Sequence, residues 1–215
     1  RAAFRGEIPP IEGLVPYSPF GYYIQRKLFL HNMGHAVCAY LGLCFGYTYI
    51  ADVAEDAGLY ALVKNAMLES MFALEAEYGV PAPELAAHAE DLLLRFQNRA
   101  LGDTCARVGQ DPVRKLSEND RLIGAMHLCL AHEIEPYSIA LGAAAALYRY
   151  LRQEHLPQTR TQAEETLLGL SGLGAESGCA RLILPLFEEI ARGTSPKFLR
   201  RAVDELRRQY AGTVV

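Results

Sequence analysis

The chain has 215 residues, enough to bury a sizeable core in one large domain or two small ones. Hydrophobic residues make up 51% and charged residues 21% of it, which is typical of a soluble globular protein. The net charge of −4 excludes a basic field over the whole chain and argues against a nucleic-acid partner. No apolar run reaches transmembrane length and no signal peptide is apparent, so neither a membrane partner nor export is predicted.

Cysteine usage points to the same kind of protein. The five cysteines are odd in number and none is part of a Cys-x-x-Cys pair, a pattern that favours a reducing, cytoplasmic compartment. Residues 1–20 hold four of the 11 prolines and are predicted to form an extended, looped segment. Residues 21–215 are predicted to form one helical domain.

Helix-period apolar patterns follow one another through that domain. They fall at residues 21–46, 53–79, 83–98, 119–134, 136–152, 160–171, 179–192 and 196–210. The only β-like pattern is the short stretch "YTYIADV" at 47–53. The sequence therefore predicts an all-α fold without internal repeats.

Capping residues support these helices. Asp52 is predicted to cap the second helix, and Gly79 with Pro81 is predicted to end it. Asp103 is predicted to cap a short turn, and Ser195 precedes a proline that can open the last helix.

Two motifs resemble nucleotide-linked sites but lack the necessary context. Tyr60 and Lys64 have the spacing of a short-chain dehydrogenase base, and "GLGAESG" at 172–178 imitates a dinucleotide-binding loop. Both need a strand, a turn and a helix in a βαβ unit, which the helical pattern does not provide. We therefore interpret the first pair as surface or packing residues on a helix and the second motif as a helix stop.

A metal site is a third alternative. His31 and His35 are one helical turn apart, a spacing that can hold a metal from one face. A third ligand is still needed, and Asn32 stands where a glutamate follows the first histidine in common zinc motifs. No bound metal is therefore predicted.

The stretch "KLFLHNMGH" at 27–35 places polar groups in an otherwise apolar helix. At 100° per residue, Lys27, Asn32 and His35 fall within an arc of about 140°. A desolvated lysine can take a proton from an alcohol, while an amide and an imidazole can hold the same oxygen. Gly34 would let a ligand or another helix approach closely. The alternative is a lysine extending from a helix end beside a core histidine.

The longer stretch "RKLFLHNMGHAVCAYLG" resembles the signature helix of the polyol-specific long-chain dehydrogenases, whose motif is Lys, four residues, Asn, two residues, His. A second stretch, "RFQNRALGDTCARVGQDPVRKLSENDRLI" at 95–123, is similar to the matching part of mannitol-1-phosphate dehydrogenases. With the helices between them, the resemblance covers roughly residues 15–150. The last 60 residues match only in being helical.

The resemblance implies catalytic roles for Lys27, Asn32 and His35 in a site that works without zinc. The lysine would be the general base for polyol oxidation and the acid for ketose reduction. It also implies substrate contacts from Arg107 and Lys115, which have the spacing of an Arg and a Lys in the hexitol branch.

Further positions in the second stretch follow from the same resemblance. Arg114 adds a cation suited to a phosphate, and Arg95 with Asn98 would shape the pocket. Ile24 stands where the hexitol branch carries a glutamate, which favours a phosphorylated polyol such as mannitol 1-phosphate.

The family's fold and cofactor are implied in the same way. The expected domain is a multihelical substrate-binding domain that resembles the C-terminal domain of 6-phosphogluconate dehydrogenase-like proteins. The hydride acceptor would be NAD, with NADP not excluded, bound mainly by an N-terminal Rossmann domain that this sequence does not contain. That domain would be the chain's own partner, and the chain alone is expected to be inactive. The remaining alternative is a stand-alone helical domain that binds a sugar phosphate or a protein without turnover.

Overall fold

The structure, a computed structural model, describes residues 9–14, 20–174 and 176–211. Its described part is all-α, as predicted, and its one strand-like contact there is an isolated antiparallel bridge between Tyr49 and Thr104. The predicted segment 1–20 lies mostly outside the described residues. The helices are α1 (Phe20–Gln25), a π-helical segment (Arg26–Asn32), α2 (Met33–Cys44), α3 (Ile50–Glu55), α4 (Ala57–Tyr78), α5 (Ala82–Phe96), a 3-10 turn (Arg99–Leu101), α6 (Cys105–Val108), α7 (Pro112–Lys115), α8 (Ile123–Ala131), α9 (Tyr137–Gln153), α10 (Arg160–Ser171), α11 (Gly178–Ala191) and α12 (Pro196–Ala211).

The core is built around α2 and α9, which pack on each other while α4 and α11 cover them. Small residues allow these helices to approach closely. A Cβ added at Gly142 of α9 would clash with Val37 of α2, and one at Gly34 of α2 would lie 2.7 Å from the Met67 Cγ of α4. Gly34 therefore serves the approach of another helix, one of the two roles that the sequence predicted.

We expect this packing to make Gly142→Ala destabilising. The added methyl group has no space against Val37, and overpacking typically costs about 1–3 kcal/mol of unfolding free energy. Gly169→Ala is the matched control, because Gly169 lies within α10 and a Cβ there meets nothing within 4 Å. It should stabilise by roughly 0.5–1 kcal/mol. Urea unfolding of both variants measures the effects, and a shift of the same sign would contradict the packing argument.

The first predicted helix, 21–46, is continuous, but its hydrogen-bond spacing changes within it. Between α1 and α2 the hydrogen bonds reach five residues instead of four, as in the bond from the Met33 N–H to the Leu28 carbonyl. The return to α-helical spacing leaves one carbonyl without a helical donor. The buried Ser70 hydroxyl of α4 donates to the Phe29 carbonyl at 2.7 Å, which supplies a partner where the register changes.

The second predicted helix, 53–79, is two helices. Asp56 has an extended backbone and its side chain accepts from the Leu59 N–H at 2.9 Å, so Asp56 caps α4. The predicted cap, Asp52, is wrong: it lies in the first turn of α3 and pairs with Arg99 at 2.7 Å. The predicted end is confirmed, since Gly79 takes the left-handed conformation at φ 65°.

Two other local predictions have different outcomes. Gly172 has left-handed φ and ends α10, and Ser177 caps α11, so the predicted helix stop is confirmed at Gly172. The cap of the short turn after Gly102 is Thr104, whose hydroxyl accepts from the Arg107 N–H, and not Asp103. The Asp103 side chain is thereby left for other contacts.

A buried carboxylate joins α4 to α9. Glu69 accepts from the Ser138 N–H at 2.9 and 3.0 Å and from the Ile139 N–H at 3.0 Å. These two groups lie in the first turn of α9, where backbone N–H groups have no helical partner. Glu69 therefore caps α9 from a distant part of the chain, and its negative charge suits the positive end of that helix.

Two findings bear on the surroundings expected from the sequence. No helix in the described part of the chain is long and apolar enough to span a membrane. All five cysteines are free thiols, and four of them are buried. They behave as small core residues.

Candidate functional site

A cleft of about 560 Å³ opens beside the first helix, and we call it the histidine cleft. His31 and His35 form one wall. The other walls come from the end of α5, the 3-10 turn and the loop after it. The further lining residues are Tyr49, Ile50, Ala51, Arg95, Phe96, Asn98, Arg99, Leu101, Gly102 and Asp103.

His35 is held on two sides. Its ring stacks on Phe96 with centroids 4.9 Å apart and planes 12° apart. Its Nε2 atom lies 3.3 Å from the Asp103 carboxylate. Burial lowers the pKa of His35 to about 4, although Asp103 partly opposes this. The imidazole is therefore uncharged at neutral pH and can hydrogen-bond a hydroxyl as donor or acceptor.

His31 lies one turn before His35, with ring centroids 6.2 Å apart, and it also faces Phe96. Burial lowers the pKa of His31, and the charges of Lys27 and Arg95 lower it further. Lys27 precedes His31 by four residues in the π-helical segment.

Lys27 and Asn32 do not line the histidine cleft. Lys27 is exposed and Asn32 is half-buried, so the described residues do not supply the desolvation expected for the lysine. The π-helical register nevertheless places these two positions closer to one face of the helix. Residues five apart stack above one another when the bonds reach five residues, whereas in an α-helix they would diverge by about 140°.

A second, more open cleft of about 450 Å³ lies on the other side of His35, and we call it the arginine cleft. Its charged wall comes from α6, α7 and the turn before α8. The lining residues are His35, Arg107, Val108, Gln110, Asp111, Arg114, Lys115 and Arg121. His35 thus belongs to both clefts, and all three predicted substrate-binding cations meet in the second.

Lys115 is the buried lysine of this region, at 4% exposure. Its ammonium group donates to the carbonyls of Val108 (2.9 Å) and Gln110 and lies 5.8 Å from the centroid of the Tyr40 ring. Burial, followed by the charges of Arg121 and Arg114, lowers the pKa of Lys115 to about 8. Two of its three donors therefore fix the loop between α6 and α7.

The three arginines of the arginine cleft each have a carboxylate partner. Arg107 pairs with Asp103, Arg114 with Asp111 at 2.8 Å, and Arg121 with Asp120 at 2.7 Å. Three negative charges thus balance three of the four cations. An anion entering this cleft would share these guanidinium groups with the carboxylates, and each arginine keeps further N–H donors for it.

Arg95 and Asn98 line the histidine cleft, consistent with the pocket-shaping role expected of them. The Asn98 side chain accepts from the Ala100 N–H at 3.0 Å and so caps the 3-10 turn. Arg95 pairs with Asp91 on the same helix at 2.8 Å. Within the described ranges, no group of three or more His, Cys, Asp or Glu side chains is placed to hold a metal ion.

Sequence reasoning missed three residues of the site: Phe96, Asp103 and Arg121. Phe96 was one apolar position of a helix pattern, and Asp103 was assigned to a cap. Arg121 lines the arginine cleft with a side chain that is 15% exposed, but the pattern placed it within a predicted helix. All three lie in the 95–123 stretch, so the signal for them was proximity in sequence to the predicted cations.

Comparisons with known proteins identify the family of the chain. The family described as "Mannitol dehydrogenase C-terminal domain" matches residues 20–167. The chain is similar to mannitol-1-phosphate 5-dehydrogenase from Caldanaerobacter subterraneus subsp. tengcongensis, with 44% identity over 64% of this chain and 36% of the relative. The enzyme of the same name from Exiguobacterium sp. is 38% identical over 67% of this chain and 38% of the relative. The chain thus spans little more than a third of these curated relatives.

Among solved structures, the fold is similar to that of Pseudomonas fluorescens mannitol 2-dehydrogenase in a ternary complex with NAD and D-mannitol. The TM-score is 0.69, at 17% identity over 89% of this chain and 42% of that one. This likeness supports the all-helical fold, while the family match covers most of the chain and both clefts. The chain therefore belongs to the mannitol dehydrogenase C-terminal domain family.

Proposed function

We propose that this chain is the substrate-binding and proton-transfer part of a zinc-independent, NAD-dependent polyol dehydrogenase. The proposed reaction is oxidation of mannitol 1-phosphate to fructose 6-phosphate and its reverse. Two relatives named mannitol-1-phosphate 5-dehydrogenase support the phosphorylated substrate. NAD is supported by the mannitol 2-dehydrogenase complex, which shares the fold.

The observation that carries the proposal is the position of His35 between the two clefts. A polyol hydroxyl near His35 would lie beside the helix that also carries Lys27 and Asn32. A phosphate on the same substrate would extend into the arginine cleft. One short molecule can thus meet the proton-transfer groups at one end and a cationic wall at the other.

In this proposal Lys27 takes the proton from the hydroxyl that becomes the ketone oxygen, and it returns the proton in the reverse direction. Asn32 donates an amide N–H to that oxygen as negative charge develops on it. His35, uncharged at neutral pH, hydrogen-bonds a hydroxyl of the same substrate. Arg107 and Arg114 bind the phosphate, together with the remaining donor of Lys115 and with Arg121.

The cofactor belongs to another part of the enzyme. The described residues contain no strand, glycine turn and helix of the kind that binds a dinucleotide, so the predicted N-terminal Rossmann domain remains the proposed binding site for NAD. When bound, the nicotinamide supplies the hydride acceptor or donor. Without that domain the chain should bind polyol phosphate and not turn it over.

The test is a comparison of substrates in an enzyme that joins this chain to its nucleotide-binding domain. Arg107→Ala should weaken the binding of mannitol 1-phosphate much more than the binding of mannitol. Loss of one charge-assisted hydrogen bond costs on the order of 1.5–3 kcal/mol, which is roughly ten- to a hundredfold in affinity. The measurement is the KM of both substrates.

Arg192→Ala is the matched control, since Arg192 is an exposed arginine outside both clefts. It should change neither KM. Arg107→Ala is preferable to Lys115→Ala here, because removing Lys115 also frees the carbonyls of Val108 and Gln110. Equal losses on both substrates would reject the phosphate assignment and favour an unphosphorylated hexitol. Binding without any turnover by the joined enzyme would favour a binding domain.

A further inference from the structure

Asp103 contacts two of the residues assigned to the site, but the sequence predicted no catalytic or binding role for it. Its carboxylate lies 3.3 Å from the His35 Nε2 atom and also pairs with Arg107. The side chains of Asp103 and His35 are only 22% and 20% exposed. Their contact is therefore partly shielded from solvent, where the attraction between a carboxylate and a ring N–H is stronger than in water.

The position of Asp103 is fixed by its own backbone. The Asp103 carbonyl accepts from the Ile50 N–H at 2.9 Å. The next residue, Thr104, forms the bridge to Tyr49 and caps α6. Gly102 before it turns in the left-handed region at φ 61°. The carboxylate is thus anchored from both sides, and it does not depend on a flexible loop.

Two contacts together define how His35 sits. The Phe96 ring stacks on the imidazole and fixes its plane. Stacking alone leaves the ring free to flip within that plane, which would exchange Nδ1 with Cδ2 and Nε2 with Cε1. A carboxylate 3.3 Å from Nε2 opposes this flip, because its negative charge attracts a proton on Nε2 and repels a lone pair there, and it so favours the tautomer with the proton on Nε2.

We propose that Asp103 is a positioning residue that fixes the ring orientation of His35 and keeps its proton on Nε2. Nδ1 then carries the lone pair and can accept a hydrogen bond from a hydroxyl. Arg107 pairs with the same carboxylate. Asp103 therefore contacts both His35, which lines both clefts, and Arg107, which lines the arginine cleft. The positioning stands on these contacts alone, whereas its use in catalysis rests on the proposed function.

The test is the tautomer of His35 read from the nitrogen chemical shifts of its ring in this chain. The wild-type chain should show the proton on Nε2. Asp103→Asn should give a mixture of both tautomers, because an amide can accept from or donate to the ring. It should also lower the pKa of His35 further. The other groups whose charges act on this ring are His31, Arg107 and Arg121, and the variant leaves all three in place.

Asp111→Asn is the matched control. Asp111 pairs with Arg114 in the arginine cleft and caps α7 from the left-handed region, which asparagine tolerates well. It should leave the His35 signals unchanged. If Asp103→Asn does not fold, Asp103→Glu serves instead, and its carboxylate should keep the Nε2 tautomer.

A wild-type proton on Nδ1, or His35 signals in Asp103→Asn that are the same as those of the wild-type chain, would overturn the proposal. The spectra require no turnover, so an enzyme that fails to oxidise any polyol would reject the proposed function and leave this result to stand by itself. In the joined enzyme, Asp103→Asn should also lower kcat by roughly ten- to a hundredfold, the usual effect of losing a group that orients a histidine.

Discussion

Lys27→Ala is expected to lower kcat for polyol oxidation by roughly a hundredfold or more, the contribution of a positioned general base. The decrease in kcat should be equal for mannitol 1-phosphate and mannitol, because the proton leaves a hydroxyl group that both substrates carry. Little change is expected in KM, since a group that acts on the proton in the transition state adds little to ground-state binding. The measurement needs the enzyme that joins this chain to its nucleotide-binding domain.

The structure makes this variant a clean one. Lys27 is exposed, so its removal should not change the unfolding temperature. Lys197→Ala is the matched control, because Lys197 is an exposed lysine in the first turn of α12. It should leave kcat unchanged. Small primary amines should restore part of the activity of Lys27→Ala and none of that of His35→Ala. An unchanged kcat in Lys27→Ala would remove the lysine from the proposed mechanism.

Glu69→Ala should be the most destabilising of the substitutions considered for this chain. It leaves the buried N–H groups of Ser138 and Ile139 without their acceptor. At about 1–3 kcal/mol for each unpaired group, the free energy of unfolding should fall by about 2–6 kcal/mol. Glu69→Gln keeps one acceptor oxygen and should lose less. Glu75→Ala, on the same helix but partly exposed, is the matched control in urea unfolding.

The pH dependence of the free energy of unfolding gives a second test of the role of Glu69. Burial raises its pKa from 4.5 to about 7, although the N–H groups of Ser138 and Ile139 oppose the rise. The folded chain therefore holds this proton more tightly than the unfolded chain. The resulting stability is complete below pH 4.5 and is lost as the pH rises through about 7. The slope should disappear in Glu69→Gln, and a slope that remains would contradict the assignment to Glu69.

The sequence predicted the fold class because apolar residues recur at helical spacing along most of the chain and capping residues mark several helix ends. The predicted spans for α9, α10 and α12 agree with the structure to within one residue at each end. The pattern failed where a local hydrogen bond interrupts it. Asp56 ends α3 and caps α4, yet apolar residues continue at helical spacing on both sides, so the periodicity showed one helix instead of two.

The sequence predicted only those parts of the site whose residues lie close together along the chain. Lys27, Asn32 and His35 share one helix, and the cations at 107, 114 and 115 share one short stretch. That His35 joins the two groups is a tertiary contact, made by Asp103 and Phe96 across helices. Periodicity carries no information on such contacts. The catalytic and substrate-binding roles of these residues stay predictions.

The π-helical segment has a consequence for how spacings should be counted along this helix. The segment contains one residue more than an α-helix would need to connect α1 and α2 in the same relative orientation. A relative that lacks one residue between Lys27 and Asn32 would keep both side chains on one face as an ordinary α-helix. A substitution that restored α-helical bonds without shortening the segment would instead turn Lys27 by about 100°.

Ser70 is the residue that distinguishes these two cases. Its hydroxyl donates to the Phe29 carbonyl, which lacks a helical donor only when the segment is π-helical. A one-residue gap in this segment and the loss of the serine should therefore occur together among related chains. Either change alone would leave a buried polar group without its partner, so the length of one helix is tied to a single side chain on another.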